Sequence, residues 1–350
     1  MRFLHTADLH LGRSFPFTDS ALRAVGKRDR FETFRNILRR ADRYEAEYVF
    51  LVGDIFEQKK ISREEVDFAL AEMANCSATI LLLLGNHDFT LYPYLTERVP
   101  ENVYLFNQEG SDVFTDERHR IDFHGVSWSR DSHHKILEID PTGLREGFRH
   151  VLLHHGNWTG GDGYFPVDAN ILPYFDYIAL GHVHKPILYE NKLQMCGTPE
   201  PLDHTDRGRL GIVSGALTDH LETEYISLAR RSVIGENFHR RGDADDEAIL
   251  RRVREFSDDG TRIYTIAITG AYSGVFDASI RATLEEMEIP YEIRWARDLP
   301  KIVKALEKRH ANDQFGTFLE KVKAHPMDDD LRERVYDLGI RAVLGDEYDS

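Results

Sequence analysis

Short apolar runs, each closed by polar or turn-forming residues, organise the first half of this chain. They fall at residues 3–4, 48–52, 80–84, 151–153 and 177–180, and runs of this length bounded by turn signals read as buried strands. Amphipathic helical periodicity at about residues 20–45 and 62–76 separates the first three, which predicts a βαβ rhythm and an α/β fold. Two shorter strands, at 103–106 and 121–123, are expected to extend a second sheet. The character changes after Gly197-Thr198-Pro199-Glu200-Pro201. Residues 245–295 read as helix, strand, helix, strand, with Ile249, Leu250, Val253 and Phe256 at helical spacing, followed by alternating Ile263, Ile266 and Ile268. From Leu299 onward the pattern is helical only, and an apolar stripe of Phe315, Phe318, Leu319 and Val322 must pack on something.

A polar cluster follows each apolar run. The clusters are Asp8-x-His10, Gly53-Asp54, Gly85-Asn86-His87-Asp88, His154-His155 and Gly181-His182-x-His184. In an open α/β sheet the loops at the carboxyl ends of strands converge on one crevice, so residues far apart in sequence can share a site. Asp8 and His10, two apart on an extended segment, can point to one side and grip one cation; a surface turn would give the same pair. Asp54 is either a helix N-cap or a carboxylate bridging two ions roughly 3.5–4 Å apart. Asn86 offers a neutral amide oxygen, and Gly85 permits a sharp exit from its strand. His87 beside Asp88 has the form of a catalytic acid or base with an orienting carboxylate, provided the backbone bends to bring them together. His182 and His184 place two imidazoles on one side of an extended segment. Successive strand residues face opposite ways, so one of His154 and His155 can reach the site. His155, the last residue before the Gly156-Asn157 turn, is favoured, leaving His154 as a buried histidine.

Composition narrows the picture. The chain has 350 residues and a formal charge of −16, from 44 Lys plus Arg against 60 Asp plus Glu. That balance opposes a general affinity for nucleic acid, which would need a local basic patch or bound cations. Cys76 and Cys196 form no metal-type pair and read as reduced core thiols of a cytoplasmic protein. No targeting segment is visible, and no apolar run approaches the roughly 20 residues of a membrane helix.

The ordered set Asp8-x-His10, Gly53-Asp54, Gly85-Asn86-His87-Asp88, His155 and Gly181-His182-x-His184 resembles the calcineurin-like metallophosphoesterase superfamily. Three longer stretches narrow the likeness: His5-Thr6-Ala7-Asp8-Leu9-His10-Leu11-Gly12, His155-Gly156-Asn157-Trp158-Thr159-Gly160-Gly161, and Cys196-Gly197-Thr198-Pro199-Glu200-Pro201-Leu202-Asp203. These are similar to the SbcD-type DNA double-strand-break repair nucleases of the meiotic recombination eleven family. The resemblance covers roughly residues 1–230; beyond that only the order of elements is similar. It implies a four-layer α-β-β-α sandwich over residues 1–230, a small αβαβ DNA-capping domain over 231–298 and a helical partner-binding tail over 299–350. It further implies two divalent ions, manganese first, although oxygen and imidazole ligands suit iron or zinc equally. Asp8, His10, Asp54 and His184 would hold one ion and Asp54, Asn86, His155 and His182 the other, with His87 and Asp88 catalytic. The implied activity is DNA exonuclease and endonuclease cleavage in end processing, by a homodimer acting with an SbcC-type coiled-coil ABC ATPase and no membrane.

One position departs from the family pattern. Phe56-Glu57 stands where many archaeal and eukaryotic members have Phe-His, which bears on the balance of exonuclease and endonuclease action. Arg13, Lys59, Lys60 and Lys185 lie near the motifs as candidate phosphate contacts or as ordinary solvated charge. A calcineurin-like phosphatase or phosphodiesterase acting on a small molecule accounts for the five clusters and the acidic charge equally well, but not for the αβαβ unit and helices that follow.

Overall fold

The computed structural model describes residues 1–15, 20–158, 164–189, 192–257, 259–270, 273–296, 299–311, 313–327 and 329–344. Thr159, Gly160 and Gly161 of the second family-like stretch lie outside these residues. The chain divides into two compact units, Met1–Ile234 with Asp259–Ile263, and Gly235–Asp258 with Tyr264–Ser350.

The first unit contains β1 (Arg2–Thr6), α1 (Ser20–Tyr44), β2 (Tyr48–Val52), α2 (Arg63–Ala74), β3 (Thr79–Leu83), α3 (Tyr92–Leu95) and β4 (Val103–Leu105). There follow β5 (Asp112–Asp116), β6 (Ile121–Gly125), β7 (Arg149–His155), β8 (Tyr177–Gly181), β9 (Ile187–Tyr189), β10 (Leu193–Met195), β11 (Gly211–Leu217) and β12 (Leu221–Ser227). They form two six-stranded sheets, ordered β12-β11-β1-β2-β3-β4 and β5-β6-β7-β8-β10-β9. The strand at 103–105, expected in the second sheet, instead pairs in parallel with β3 at the edge of the first. The difference is one of connection: a three-residue strand carries too little pattern to specify which edge it joins. The sequence reading did not resolve β11 and β12, which return the chain antiparallel beside β1.

Side-chain alternation explains the layering. In β2 every residue is buried, with Val49 and Leu51 facing one cluster and Tyr48, Phe50 and Val52 the other. The first cluster lies under α1 and α2, including Phe34, Ile37, Val66, Ala69, Leu70 and Met73. Ser62 starts α2 with a capping box to Glu65, satisfying two backbone donors that the helix itself leaves unpaired. The second cluster fills the space between the sheets, where Phe3 meets Tyr177 at 4.8 Å and Phe50 meets Phe123 at 5.7 Å between ring centroids. The outer face of the second sheet carries Leu152, Ile178 and Leu180 under Trp128, Phe165, Ile171 and Phe175. That outer cover consists of 3₁₀ turns and loop segments, the longest turn being Ala169–Tyr174 with Pro173 inside it. Proline lacks the amide donor that a continuing α-helix needs.

In the second unit, β13 (Ser232–Arg240), β14 (Arg262–Gly270) and β15 (Tyr291–Ala296) form a sheet in that order. Helices α4 (Asp246–Val253) and α5 (Gly274–Glu286) alternate with β14 and β15, as the periodicity predicts. The terminal helices α6 (Leu299–Arg309), α7 (Gln314–Ala324) and α8 (Asp329–Leu344) share a cluster of their own. Phe315, Leu319 and Val322 are buried there against Val303, Leu306, Tyr336 and Ile340, with Phe318 at its margin. Among the described residues no helix is long and apolar enough to cross a membrane.

Candidate metal centre

Strands β1, β2 and β3 of one sheet and β7 and β8 of the other end at the same place. In β7, Val151 and Leu153 face the space between the sheets, and strand alternation puts His155 on that same face. Its Nε2 lies 3.3 Å from Asp54 Oδ2 and 3.3 Å from Asn86 Oδ1, while Nδ1 sits 2.9 Å from the Val52 carbonyl oxygen. A carbonyl only accepts, so Nδ1 carries a proton, and Nε2 is the nitrogen turned toward the cluster. His154 points the other way, to the carbonyl of Phe165 at 2.7 Å, and burial lowers its pKa to about 4.

The remaining groups converge on the same point. His10 Nε2 is 3.6 Å from the same Asp54 Oδ2, so that one oxygen lies between His10 and His155. The other oxygen, Oδ1, accepts from the His87 amide at 2.8 Å. Asp8 Oδ2 accepts from the His182 amide at 3.0 Å, and Asp8 Oδ1 is 3.9 Å from His184 Nε2. His184 Nδ1 in turn faces Asp206 at 3.8 Å. The His182 ring stands 5.5 Å from that of His155 and 4.7 Å from Tyr164, between centroids.

The backbone reaches this arrangement by turns, not by the extended segments expected for Asp8-x-His10 and His182-x-His184. Asp8, His10, Asp54 and His182 have φ of 53°, 46°, 51° and 90°. Positive φ costs a non-glycine residue on the order of 1–3 kcal/mol and gathers where surrounding structure enforces it. Gly53 has φ 77°, and a Cβ there would collide with the His155 ring. Close approach of two sheets thus requires glycine at the exit of β2.

Asp88 is not the partner of His87. Its carboxylate accepts from the amides of Gly85 at 2.6 Å, Ile55 at 2.7 Å and Phe56 at 3.1 Å, tying the loop after β3 to the loop after β2. The group facing His87 is Glu57, 3.4 Å from Nδ1 and 3.5 Å from His10 Nδ1. Adjacent side chains diverge here because the backbone between them does not fold back, whereas Glu57 arrives from another loop. Asp206 and Tyr164 were also invisible in the sequence, since neither belongs to a motif whose spacing signals contact. Of the candidate phosphate contacts, Arg13 and Lys60 touch the cluster through their backbone amides, which donate to the carbonyls of His10 and Glu57 at 3.0 and 2.8 Å.

Electrostatics describe a site short of positive charge. Burial raises the Asp8 pKa and lowers that of His10. Burial also opposes ionisation of Asp54, but His155 outweighs it and holds the carboxyl below its usual range. Burial works against a charged His155, yet Asp54 and Asp8 outweigh it and raise the pKa to about 9. Burial lowers His182 to about 3. Asp8 Oδ1 and His10 Nε2 are buried without a hydrogen-bond partner, while His10 Nδ1 faces Glu57. The large majority of buried side-chain polar atoms have partners, so these unpartnered atoms beside buried carboxylates fit divalent cations as the missing countercharge. Asp8, His10 and His184 form one group of potential ligands and Asp8, Asp54 and His155 another.

The fold and the cluster define a metallophosphoesterase. Residues 1–186 match the calcineurin-like phosphoesterase family, and the chain belongs to it. It is 26% identical over 202 residues to the uncharacterized metallophosphoesterase YhaO of Bacillus subtilis (strain 168), covering 53% of this chain and 49% of that protein. It is 24% identical over 204 residues to the DNA double-strand break repair protein Mre11 of Methanocaldococcus jannaschii, covering 54% of this chain and 52% of that one. The chain spans about half the length of these curated relatives. Among solved structures, a dimetal phosphatase from Danio rerio aligns at TM-score 0.42 with 14% identity, over 65% of this chain and 99% of that chain.

Proposed function

We propose that this protein is a dinuclear metal-dependent nuclease that hydrolyses phosphodiester bonds of DNA in end processing. The observation that carries the phosphodiesterase reading is the convergence of Asp8, His10, Asp54, His155 and His184, with orphaned lone pairs, beside a partly exposed His87. The DNA part rests on the likeness to the archaeal repair protein and on the αβαβ elements and helices that follow the family region. In this reading Asp8, His10, Asp54 and His184 would hold one ion and Asp54, Asn86, His155 and His182 the other. The ions, manganese first, would polarise the phosphodiester and lower the pKa of an attacking water.

The protein's own groups do the rest. Glu57 raises the His87 pKa through their hydrogen bond, which favours the protonated imidazole that can donate to the departing oxygen. Asp88 is a positioning residue: its three backbone contacts fix Asn86 and His87 relative to Asp54. The proposed setting is cytoplasmic, with a homodimer and an SbcC-type ATPase as partner of the terminal helices.

A second reading, hydrolysis of a small-molecule phosphoester, is favoured by the net charge of −16. Assaying linear and hairpin DNA beside a small chromogenic diester, with and without manganese, separates the two. Manganese-dependent DNA cleavage supports the nuclease, whereas diester turnover without DNA cleavage supports the small-molecule enzyme.

A further inference from the structure

A second group of potential ligands lies away from this centre. Strand register sets Asp122 of β6 opposite His150 of β7, with His124 two residues along β6 on the same outer face. Asp122, His124 and His150 are all buried, and one ligand atom from each falls within 4.8 Å of the other two. His150 and His155 stand at opposite ends of β7, so the two groups are roughly 15 Å apart at 3.3 Å per residue.

The hydrogen bonds orient this trio as ligands. His150 Nε2 faces the Arg145 carbonyl oxygen at 3.2 Å. That oxygen only accepts, so Nε2 bears the proton and Nδ1 holds a lone pair, the way a metal-bound histidine is usually braced. His150 Nδ1 is aimed at His124 Nε2, 3.1 Å away. Two nitrogens each about 2.0–2.1 Å from one tetrahedral ion stand roughly 3.3 Å apart, so almost no movement is needed for both to bind. Asp122 is braced too, accepting from Thr115 Oγ1 at 2.8 Å and from Arg145 Nε at 2.8 Å, with a further Arg145 contact. These leave carboxylate lone-pair capacity, because each oxygen has two lone pairs.

We propose that His124 Nε2, His150 Nδ1 and an Asp122 oxygen form a second metal site, selective for a zinc-class ion and independent of the centre at the strand ends. Two imidazoles and one carboxylate suit zinc, cobalt, nickel or copper, and the trio offers only one oxygen ligand where each set at the strand ends offers two, which disfavours manganese and magnesium. Binding exchanges the hydrogen bond between the histidines for two metal–nitrogen bonds. The His124 proton moves from Nε2 to Nδ1, so the ring stays neutral. The ion would pin β6 to β7 and, through Asp122 and His150, the segment carrying Arg145.

The test loads the full chain with manganese, then titrates zinc while both metals are counted by atomic emission. One zinc per chain should bind without loss of manganese and raise the melting temperature. His124→Ala and His150→Ala should each lose that equivalent while keeping the diester hydrolysis rate. Zinc that only displaces manganese, or that binds both variants as it binds the parent chain, overturns the proposal. Should a variant fail to fold, cobalt added to the manganese-loaded parent chain gives a separate readout: tetrahedral absorption bands are expected, and their absence counts against the site.

Discussion

Nδ1 of His87 lies 3.4 Å from the Glu57 carboxylate, although Asp88 is its neighbour in sequence. Burial would push Glu57 up, but His10 and His87 outweigh it and hold the carboxyl below its ordinary range. Replacing Glu57 by Gln removes the largest cause of the raised His87 pKa and returns it toward about 6.5. A histidine that acts as an acid works only below its pKa. The alkaline fall of the pH–rate profile should therefore move to lower pH in Glu57→Gln, and an unmoved profile would show that His87 is not the titrating acid.

Substituting His87 by Asn should leave both ions bound, because His87 is assigned to the leaving oxygen and not to coordination. Loss of general acid catalysis lowers the rate by about 10²–10⁴. Metal content and hydrolysis rate, measured on the same preparation, should therefore part company; joint loss of one metal equivalent and activity would make His87 a ligand.

The doubled histidine offers a paired comparison. His155→Ala removes a nitrogen 3.3 Å from Asp54 and should empty one metal position. His154→Ala removes a side chain bonded to the Phe165 carbonyl and should lower stability by roughly 2–4 kcal/mol, a buried truncation plus an unpaired acceptor. A manganese titration that gave the reverse order would place the ligand at 154.

Deleting residues 299–350 removes α6, α7 and α8 together with the apolar cluster they share. The expected product is a folded, manganese-dependent hydrolase that no longer co-purifies with an SbcC-type ATPase. Insolubility, or a much lower melting temperature with no partner present, would mean that these helices complete the core of their own unit.

Below neutrality two buried groups should tilt stability in opposite directions. Burial lowers the His5 pKa to about 3, so between roughly pH 6.5 and 3 the unfolded chain binds the extra proton and stability drops as pH falls, on the order of 4 kcal/mol in all. Burial raises Glu200 to about 7, against the contacts of Thr33 and the Arg230 amide. Here the folded chain holds the extra proton between about pH 4.5 and 7, so stability drops as pH rises through that window. Glu200→Gln should remove that decline, so that stability measured by denaturation rises more steeply with pH between about 4.5 and 7 and keeps its slope below pH 4.5.

The sequence by itself determined the strands that carry the ligands and helices α1 and α2 between them, because strand and helix periodicities are local properties of consecutive residues. It also required that only one of His154 and His155 face the other sheet and favoured His155, which the structure places on the same side of β7 as Val151 and Leu153. Tertiary structure decided the rest. Glu57 faces His87 in place of Asp88, Asp206 stands behind His184, β4 joins the first sheet, and Asp8 and His10 converge through left-handed turns. Each of these depends on which separate loops meet at the end of two packed sheets, and spacing along one segment carries no information about a partner supplied by another.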